Sequence, residues 1–322
     1  MSWLNSLKEQ GHILEAAIHF NEAKDRLNQG SSKTEVARFL SDALNKIQTE
    51  WLLRFANATI GNVKAFQSMI LEVLEEEARE CFLNSNELKN LVEFKPQIMN
   101  HDTLRRHDYR PNIEIESNLK KKASEEHRKL STAYEALSTQ REKDVEDRVL
   151  KRTAELLYIV RSNIAHGEKT PYGPDLEKKV RDEQISAVVV PIQCMLFDML
   201  LDYPNQKLFT YGTLVPGKPN NSIISALEGK WERCTTSGQI IEVSGLSMFR
   251  WEPYGPNIKG QLFVSPDISK QWTDLDKFEG DRYKRCMITV DTNTGISVAN
   301  AYLDARIEHL PNNVLGSTGG LI

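Results

Sequence analysis

Apolar residues recur at helical spacing along the first part of the chain and at strand spacing beyond Asn205. Ala37, Leu40, Leu44, Ile47 and Trp51 follow at intervals of three and four, which puts them on one helix face. Ser31, Ser32 and Thr34, just past Gly30, supply start signals for that helix. Val145, Val149, Leu156, Val160 and Asn163, flanked by Leu150, Leu157 and Ile164, predict a second long helix, and residues 176–202 predict a third. Between the first two lies FKPQIMNHDTLRRHDYRPNIEIES, residues 94–117, a polar interval that reads as a long connection. It is basic at Arg105, Arg106 and Arg110.

After Asn205 the segments LFTYG, GQIIEVSG, KGQLFVS, YKRCMITV and SVANAYLDA are short, rich in β-branched and aromatic residues, and bounded by Gly, Pro and Asn turns such as DTNTG. Short helical pieces are expected near Ser222–Glu228 and Ser269–Phe278. The pattern predicts an α+β protein of two domains: an all-α helical bundle over 1–205 and a small mixed α/β barrel over 206–322.

Composition narrows the function classes. The chain has 322 residues, 40% hydrophobic and 27% charged, the balance of an ordinary folded protein. A net charge of −4 gives no global attraction to nucleic acid, so any such contact needs a local basic patch. Cys81, Cys194, Cys234 and Cys286 form no metal-type pair and are expected as reduced, mostly buried thiols. His101, His107 and His127 have no ligand spacing either, so neither a metal nor another cofactor is expected. MSWLNSLKEQ lacks the features of a signal peptide. The apolar window Ala187–Leu201 reads as too short for a membrane span, and a cytoplasmic location is expected.

Two stretches of the second half carry candidate chemistry. KLFTYGTLVPG, residues 207–217, runs a strand into a bare glycine loop. WTDLDKFEGDRYKR, residues 272–285, ends a short helix at Glu279 and Gly280, with the glycine expected as a left-handed cap. A carboxyl held among aromatic residues at a helix end is desolvated, its pKa rises, and it can accept a proton and later return it. The bland alternative is a surface carboxylate paired with Arg282 or Lys284. Arg250, Trp251 and Tyr254 in MFRWEPYGP are candidates for a specificity loop.

The YGTL loop, the LDKFEGDRYKR block and the closing strand AYL together resemble the γ-glutamylcyclotransferase-like family. The resemblance implies that the α-amine of a γ-glutamyl amine or amide attacks its own γ-carbonyl, releasing 5-oxoproline and a free amine. It places the general acid/base on Glu279. It places the substrate loop on Tyr211, Gly212, Thr213 and Leu214, with Tyr283 shaping the pocket. Thr213 stands where the family more often has serine, and the hydroxyl is kept.

A second motif, RSNIAHG, ends the long helix, with Gly167 expected as its cap. Positions 161 and 166 lie about 140° apart on a regular helix, so their side chains converge only if the helix end unwinds or across a dimer groove. Late in a helical bundle, this motif is similar to that of the HEPN (higher eukaryotes and prokaryotes nucleotide-binding) family. That resemblance implies a metal-independent ribonuclease built by a homodimer of the helical domain. Arg161 would stabilise phosphorane charge, His166 would act as acid or base, and Asn163 would position them, with RNA phosphates met by Arg105, Arg106 and Arg110. The plain alternative is positive charge complementing a helix C-terminus.

Three functions stay open on the sequence. One is a cyclotransferase acting on a small γ-glutamyl-type substrate. Another is an RNA-cleaving or RNA-binding effector of a toxin or antiviral kind, regulated by the C-terminal domain. The third is a scaffold in which both folds serve assembly only.

Overall fold

The computed structural model describes residues 3–7, 11–55, 62–94, 113–168, 176–252 and 254–306, without the side chains of 6, 113–123, 163–168, 176–179 and 181. Arg105, Arg106 and Arg110 lie outside the described residues, as do the side chains of Asn163 and His166. The chain divides into two compact units, one of His19–Leu200 and one of Met1–Ile18 with Leu201–Ile322. The first eighteen residues thus belong with the C-terminal unit, where the expected boundary had put them with the helices. The physical cause is close packing of the turn Trp3–Ser6 on the last strand. A Cβ at Gly295 would meet the Asn5 backbone at 2.7 Å, an approach that only glycine permits.

The helical elements are α1 (Gly11–Asn28), α2 (Lys33–Phe55), α3 (Asn62–Val73), α4 (Glu76–Leu83), α5 (Asn86–Glu93), α6 (Ile113–Thr139), α7 (Lys143–Glu168) and α8 (Leu176–Leu200). α2 begins where its capping sequence indicates: the Ser32 hydroxyl accepts from the Glu35 amide at 3.2 Å. The Glu183 carboxylate on α8 accepts from the Lys33 and Thr34 amides at 2.6 and 3.2 Å, satisfying two more donors that a helix start leaves open. The apolar stripe of α2 is buried, and Gln193 of α8 donates to Ser41 at 2.8 Å beside it. α6 starts at Ile113, so the end of the expected connection is helical. Gly167 lies inside α7, which carries on to Glu168.

α8 holds Pro191 within its length. Its Asp182–Leu200 stretch is long and apolar enough to cross a membrane by length and composition, contrary to the sequence expectation, and 56% of that window is buried as in a core helix. Phe197 of α8 stacks on Phe20 with centroids 4.1 Å apart. Cys234 and Cys286 are buried and Cys194 half-buried, whereas Cys81 is exposed; none of the four is in a disulfide.

The C-terminal unit contains β1 (Lys207–Thr210), β2 (Lys230–Val243), β3 (Leu246–Trp251), β4 (Asn257–Val264), α9 (Trp272–Glu279), β5 (Tyr283–Thr292) and β6 (Gly295–Asp304). The strands run in the order β3-β2-β4-β1-β6-β5, and β5 returns to β2, so five of them close into a barrel with β3 as an outlying hairpin arm. β1 is antiparallel to β4 and parallel to β6. All four residues of β1 are buried, as are nearly all of β6. The β2–β3 hairpin turns at Ser244 and Gly245, both with positive φ (51° and 78°), the backbone of a tight two-residue hairpin. β3 occupies the segment expected as a specificity loop: Trp251 is buried, Arg250 lies 3.6 Å from Asp304, and only Tyr254 stands clear at 92% exposure. In place of the expected helix at Ser222–Glu228 there is a single 3-10 turn, Asn221–Ile223.

Closure is made by one residue pair, Thr235 with Asp291. Beside it the Thr236 hydroxyl, fully buried, donates to the Thr289 carbonyl at 2.7 Å. Thr236→Val removes that bond while keeping the shape, and is expected to destabilise the C-terminal unit by about 1–2 kcal/mol in urea unfolding. Thr236→Ser, which keeps the hydroxyl, should lose less than Thr236→Val in the same measurement.

Candidate active site

α9 presents Trp272, Leu275, Asp276 and Glu279 at spacings of three and four, one continuous helix face. Trp272 and Leu275 are buried in a cluster with Leu208, Phe263 and Tyr302. The indole Nε1 of Trp272 donates to the Asn205 carbonyl at 3.0 Å, fixing the start of the helix beside the entry to β1. Glu279, two turns on, is therefore carried toward the barrel. Gly280 follows with φ 69° and ψ −174°. The positive φ agrees with the expected cap, but ψ puts it in an extended region that is essentially glycine's alone, outside the left-handed helical one. Its amide donates to Asp276 at 3.0 Å and its carbonyl accepts from Tyr283 at 3.1 Å, so one residue ends the helix and starts β5.

The Glu279 carboxylate is half-buried and has no ion-pair or hydrogen-bond partner among the described residues, so the pairing with Arg282 or Lys284 is not made. Burial alone pushes its carboxyl up from 4.5 to about 7. The same carboxylate acts on three phenols. Burial, then Tyr283, then Glu279 raise Tyr211. Burial and then Glu279 raise Tyr283. Tyr302 is raised by burial first, then by its hydrogen bond to Asp276, with Glu279 contributing last. The structure thus brings Glu279, Tyr211 and Tyr283 together.

Both phenols point at one atom. Tyr211 and Tyr283 donate to the Ser247 carbonyl on β3 at 3.0 and 3.2 Å. The Tyr211 ring also packs at 5.5 Å on Phe249 of the same strand. With protons committed to a carbonyl and acidities weakened, these tyrosines stay neutral near pH 7 and are poor proton carriers. The group that titrates there is Glu279.

The loop after β1 is held from beneath. Leu214 is 4% exposed and belongs to the same apolar cluster as Leu275 of α9, so one core fixes both loop and helix. Asn220 donates to the Thr213 hydroxyl at 2.9 Å through its side chain and to the Thr213 carbonyl at 3.1 Å through its amide. Asn221 donates to the Leu214 carbonyl at 2.7 Å. The loop carbonyls are thereby engaged, while the amides of Gly212, Thr213 and Leu214 have no internal acceptor among the described residues. A Cβ on Gly212 would find nothing within 4 Å, so the space beside this backbone is open. Successive free amides next to open space suit a carboxylate or a developing oxyanion. Asn220 and Asn221 are absent from the sequence expectation, although a pair of asparagines shortly after a glycine loop is a signal for side-chain-supported turns.

In the helical unit, Arg161 donates to Asn45 at 2.9 Å and lies 3.7 Å from Asp42, both on α2. α7 is continuous through position 166, so positions 161 and 166 stay about 140° apart on one regular helix. His127 is 2% exposed and its Nε2 donates to the Leu91 carbonyl at 2.8 Å, the contact of a core histidine.

Residues 208–315 match the family model described as gamma-glutamyl cyclotransferase, AIG2-like. Among solved structures the chain is similar to YkqA from Bacillus subtilis, at 23% identity over 31% of this chain and 35% of that one, with a TM-score of 0.27. It is likewise similar to an AIG2-like protein from Mus musculus, at 20% identity over 32% of this chain and 79% of that one, with a TM-score of 0.28. The chain spans only 35% of YkqA's length. No curated protein matches it. Residues 208–315 are thus similar to the AIG2-like family, and the five-strand closed barrel is consistent with that fold; the match leaves residues 1–207 outside it.

A raised carboxyl pKa favours the fold when protonated. Glu279 therefore contributes stability that is complete below about 4.5 and is lost as pH rises through about 7. Glu279→Gln, which does not titrate, should gain on the wild type by about 3 kcal/mol between pH 4.5 and pH 8 in urea unfolding. A difference between the two proteins that stays constant with pH would show that Glu279 titrates normally.

Proposed function

We propose that the C-terminal unit is a cyclotransferase that releases 5-oxoproline from a γ-glutamyl amine or amide, with Glu279 as its proton carrier. The observation that carries this reading is a half-buried carboxyl without a partner among the described residues, raised to about 7, on a helix whose Leu275 shares a packed cluster with Leu214 of the loop that leaves three amides without an internal acceptor.

The chemistry needs three proton movements. The substrate's α-ammonium must lose a proton before its nitrogen can attack the γ-carbonyl carbon. In the tetrahedral adduct that nitrogen loses a second proton, the leaving nitrogen gains one, and the bond from carbon to the leaving nitrogen breaks. The products are the lactam and a free amine. A group titrating near 7 is found in both protonation states at neutral pH and serves each step in turn. The Gly212–Leu214 amides would take the charge that develops on the carbonyl oxygen, and Tyr211 and Tyr283 would wall the site from the β3 side.

The ribonuclease alternative has less support. Among its motif residues only Arg161 has a described side chain, and that guanidinium is engaged by Asn45 and Asp42.

On a panel of γ-glutamyl amides, the wild type is expected to release 5-oxoproline from at least one member, measured by chromatography. Glu279→Gln should lose at least about 100-fold in turnover. kcat/KM for the wild type should fall below about pH 7, tenfold per unit once the carboxyl is mostly protonated. Full turnover by Glu279→Gln would overturn the assignment.

A further inference from the structure

Two side chains cross the gap between β3 and the end of the β5–β6 ribbon in opposite directions. Tyr283 of β5 reaches Ser247 on β3, its hydroxyl donating to that carbonyl at 3.2 Å. Arg250 of β3 reaches back to Asp304 on β6, with Nε 3.6 Å from Oδ2. Tyr283 and Asp304 are directly opposed across the antiparallel pair, so their side chains leave the ribbon on one face. Arg250 is thereby set beside Tyr283, which meets Tyr211 on the same Ser247 carbonyl.

The Asp304 carboxylate is fully buried, and a different arginine neutralises it. Arg306 donates to it twice from the side chain, Nε to Oδ1 at 2.8 Å and Nη2 to Oδ2 at 2.7 Å, and once from its amide at 3.2 Å. Arg250, at 3.6 Å, is beyond hydrogen-bond length, so it is the surplus charge of two guanidinia on one carboxylate. Its Nε is buried without a hydrogen-bond partner, yet its side chain is 36% exposed, so solvent meets the terminal nitrogens. Neither of those has a partner among the described residues. The acids nearest to it on the hairpin are engaged elsewhere: Glu252 accepts from Gln239 at 3.0 Å, and Glu242 from the Ser247 hydroxyl. A guanidinium steadied at one edge by a buried carboxylate, with its outer donors facing water, is a ready fork for a carboxylate.

We propose that Arg250 is a specificity-determining residue of the cyclotransferase site: its outer nitrogens take a carboxylate of the substrate, and Asp304 aims them. The inference rests on the cyclotransferase reading and adds to it a requirement on the substrate's charge. A γ-glutamyl amide carries one carboxylate on its α-carbon, and a second where the departing amine is an amino acid or a peptide. Both offer the fork the same two oxygens. Arg250 also offsets Glu242 and Glu279, which would otherwise repel an anionic substrate.

The test is steady-state kinetics of the full chain on three matched substrates. These are γ-glutamylglycine, the same compound with its glycine carboxylate as a primary amide, and the same with its α-carboxylate as a primary amide. Arg250→Gln should lose about 10- to 100-fold in kcat/KM, most of it in KM, wherever the bound carboxylate is present. If that is the α-carboxylate, the first two substrates suffer and the third does not. If it belongs to the departing amine, the first and third suffer and the second does not. Arg250→Lys keeps the charge without the fork, and should recover part of the loss on the same substrates. Equal losses on all three substrates, or none on any, overturn the proposal. If Arg250→Gln fails to fold, Arg250→Lys decides, since a deficit that does not follow the carboxylate is then the contrary result. A wild type idle on all three also overturns it, and the panel of γ-glutamyl amides shows whether the cyclotransferase reading falls with it.

Discussion

The C-terminal unit depends on closing a curved sheet through very little hydrogen bonding. β2 meets β4 along eight residue pairs and β5 at one, Thr235 with Asp291. The buried Thr236 hydroxyl adds a side-chain bond to the same seam. Closure makes β1 and β6 interior neighbours. The loop leaving β1 and the helix entering β5 then share one apolar cluster, with Leu214 and Leu275 both within it. The site follows from that closure: without it the glycine loop and Glu279 would have no common core.

Within this frame the site is energetically uneven. Most of its polar atoms are paired, from the two phenols on the Ser247 carbonyl to the three donors on Asp276. The Glu279 carboxyl, the Gly212–Leu214 amides and the outer nitrogens of Arg250 are the exceptions among the described residues. An unpaired carboxyl in partly buried surroundings is a cost to the fold, and the surrounding network is what makes it tolerable. A domain selected for stability alone would have given Glu279 a partner.

The helices with apolar stripes were readable from residue spacing, and α2 even showed its cap at Ser32. The Glu279 block and the glycine loop were readable too, because each is a local sequence with its own turn chemistry. The first half of β2 was not. Its buried positions are Cys234, Thr236 and Gly238, which make no apolar stripe, and Lys230, Glu232 and Arg233 ahead of them are charged. β3 was hidden by the proline and glycine that follow it, although Phe249 and Trp251 are core residues. The Asp276–Arg285–Tyr302 contact joins residues whose closeness depends on strand register, which spacing along one chain does not encode. Asp276 and Arg285, the second and last residues of LDKFEGDRYKR, are in fact partners, a relation that the order of residues alone does not express.

The turn at Trp3–Ser6 lies with β6, although the whole helical unit intervenes in the sequence. In order of synthesis, the ribosome makes the first few residues of the barrel unit long before the rest of it. The helical unit, an insert between them, is free to fold as soon as it has emerged, while the barrel must wait for its closing strands. Throughout that interval Leu4 and Leu7, both buried in the finished fold, have no surface to cover.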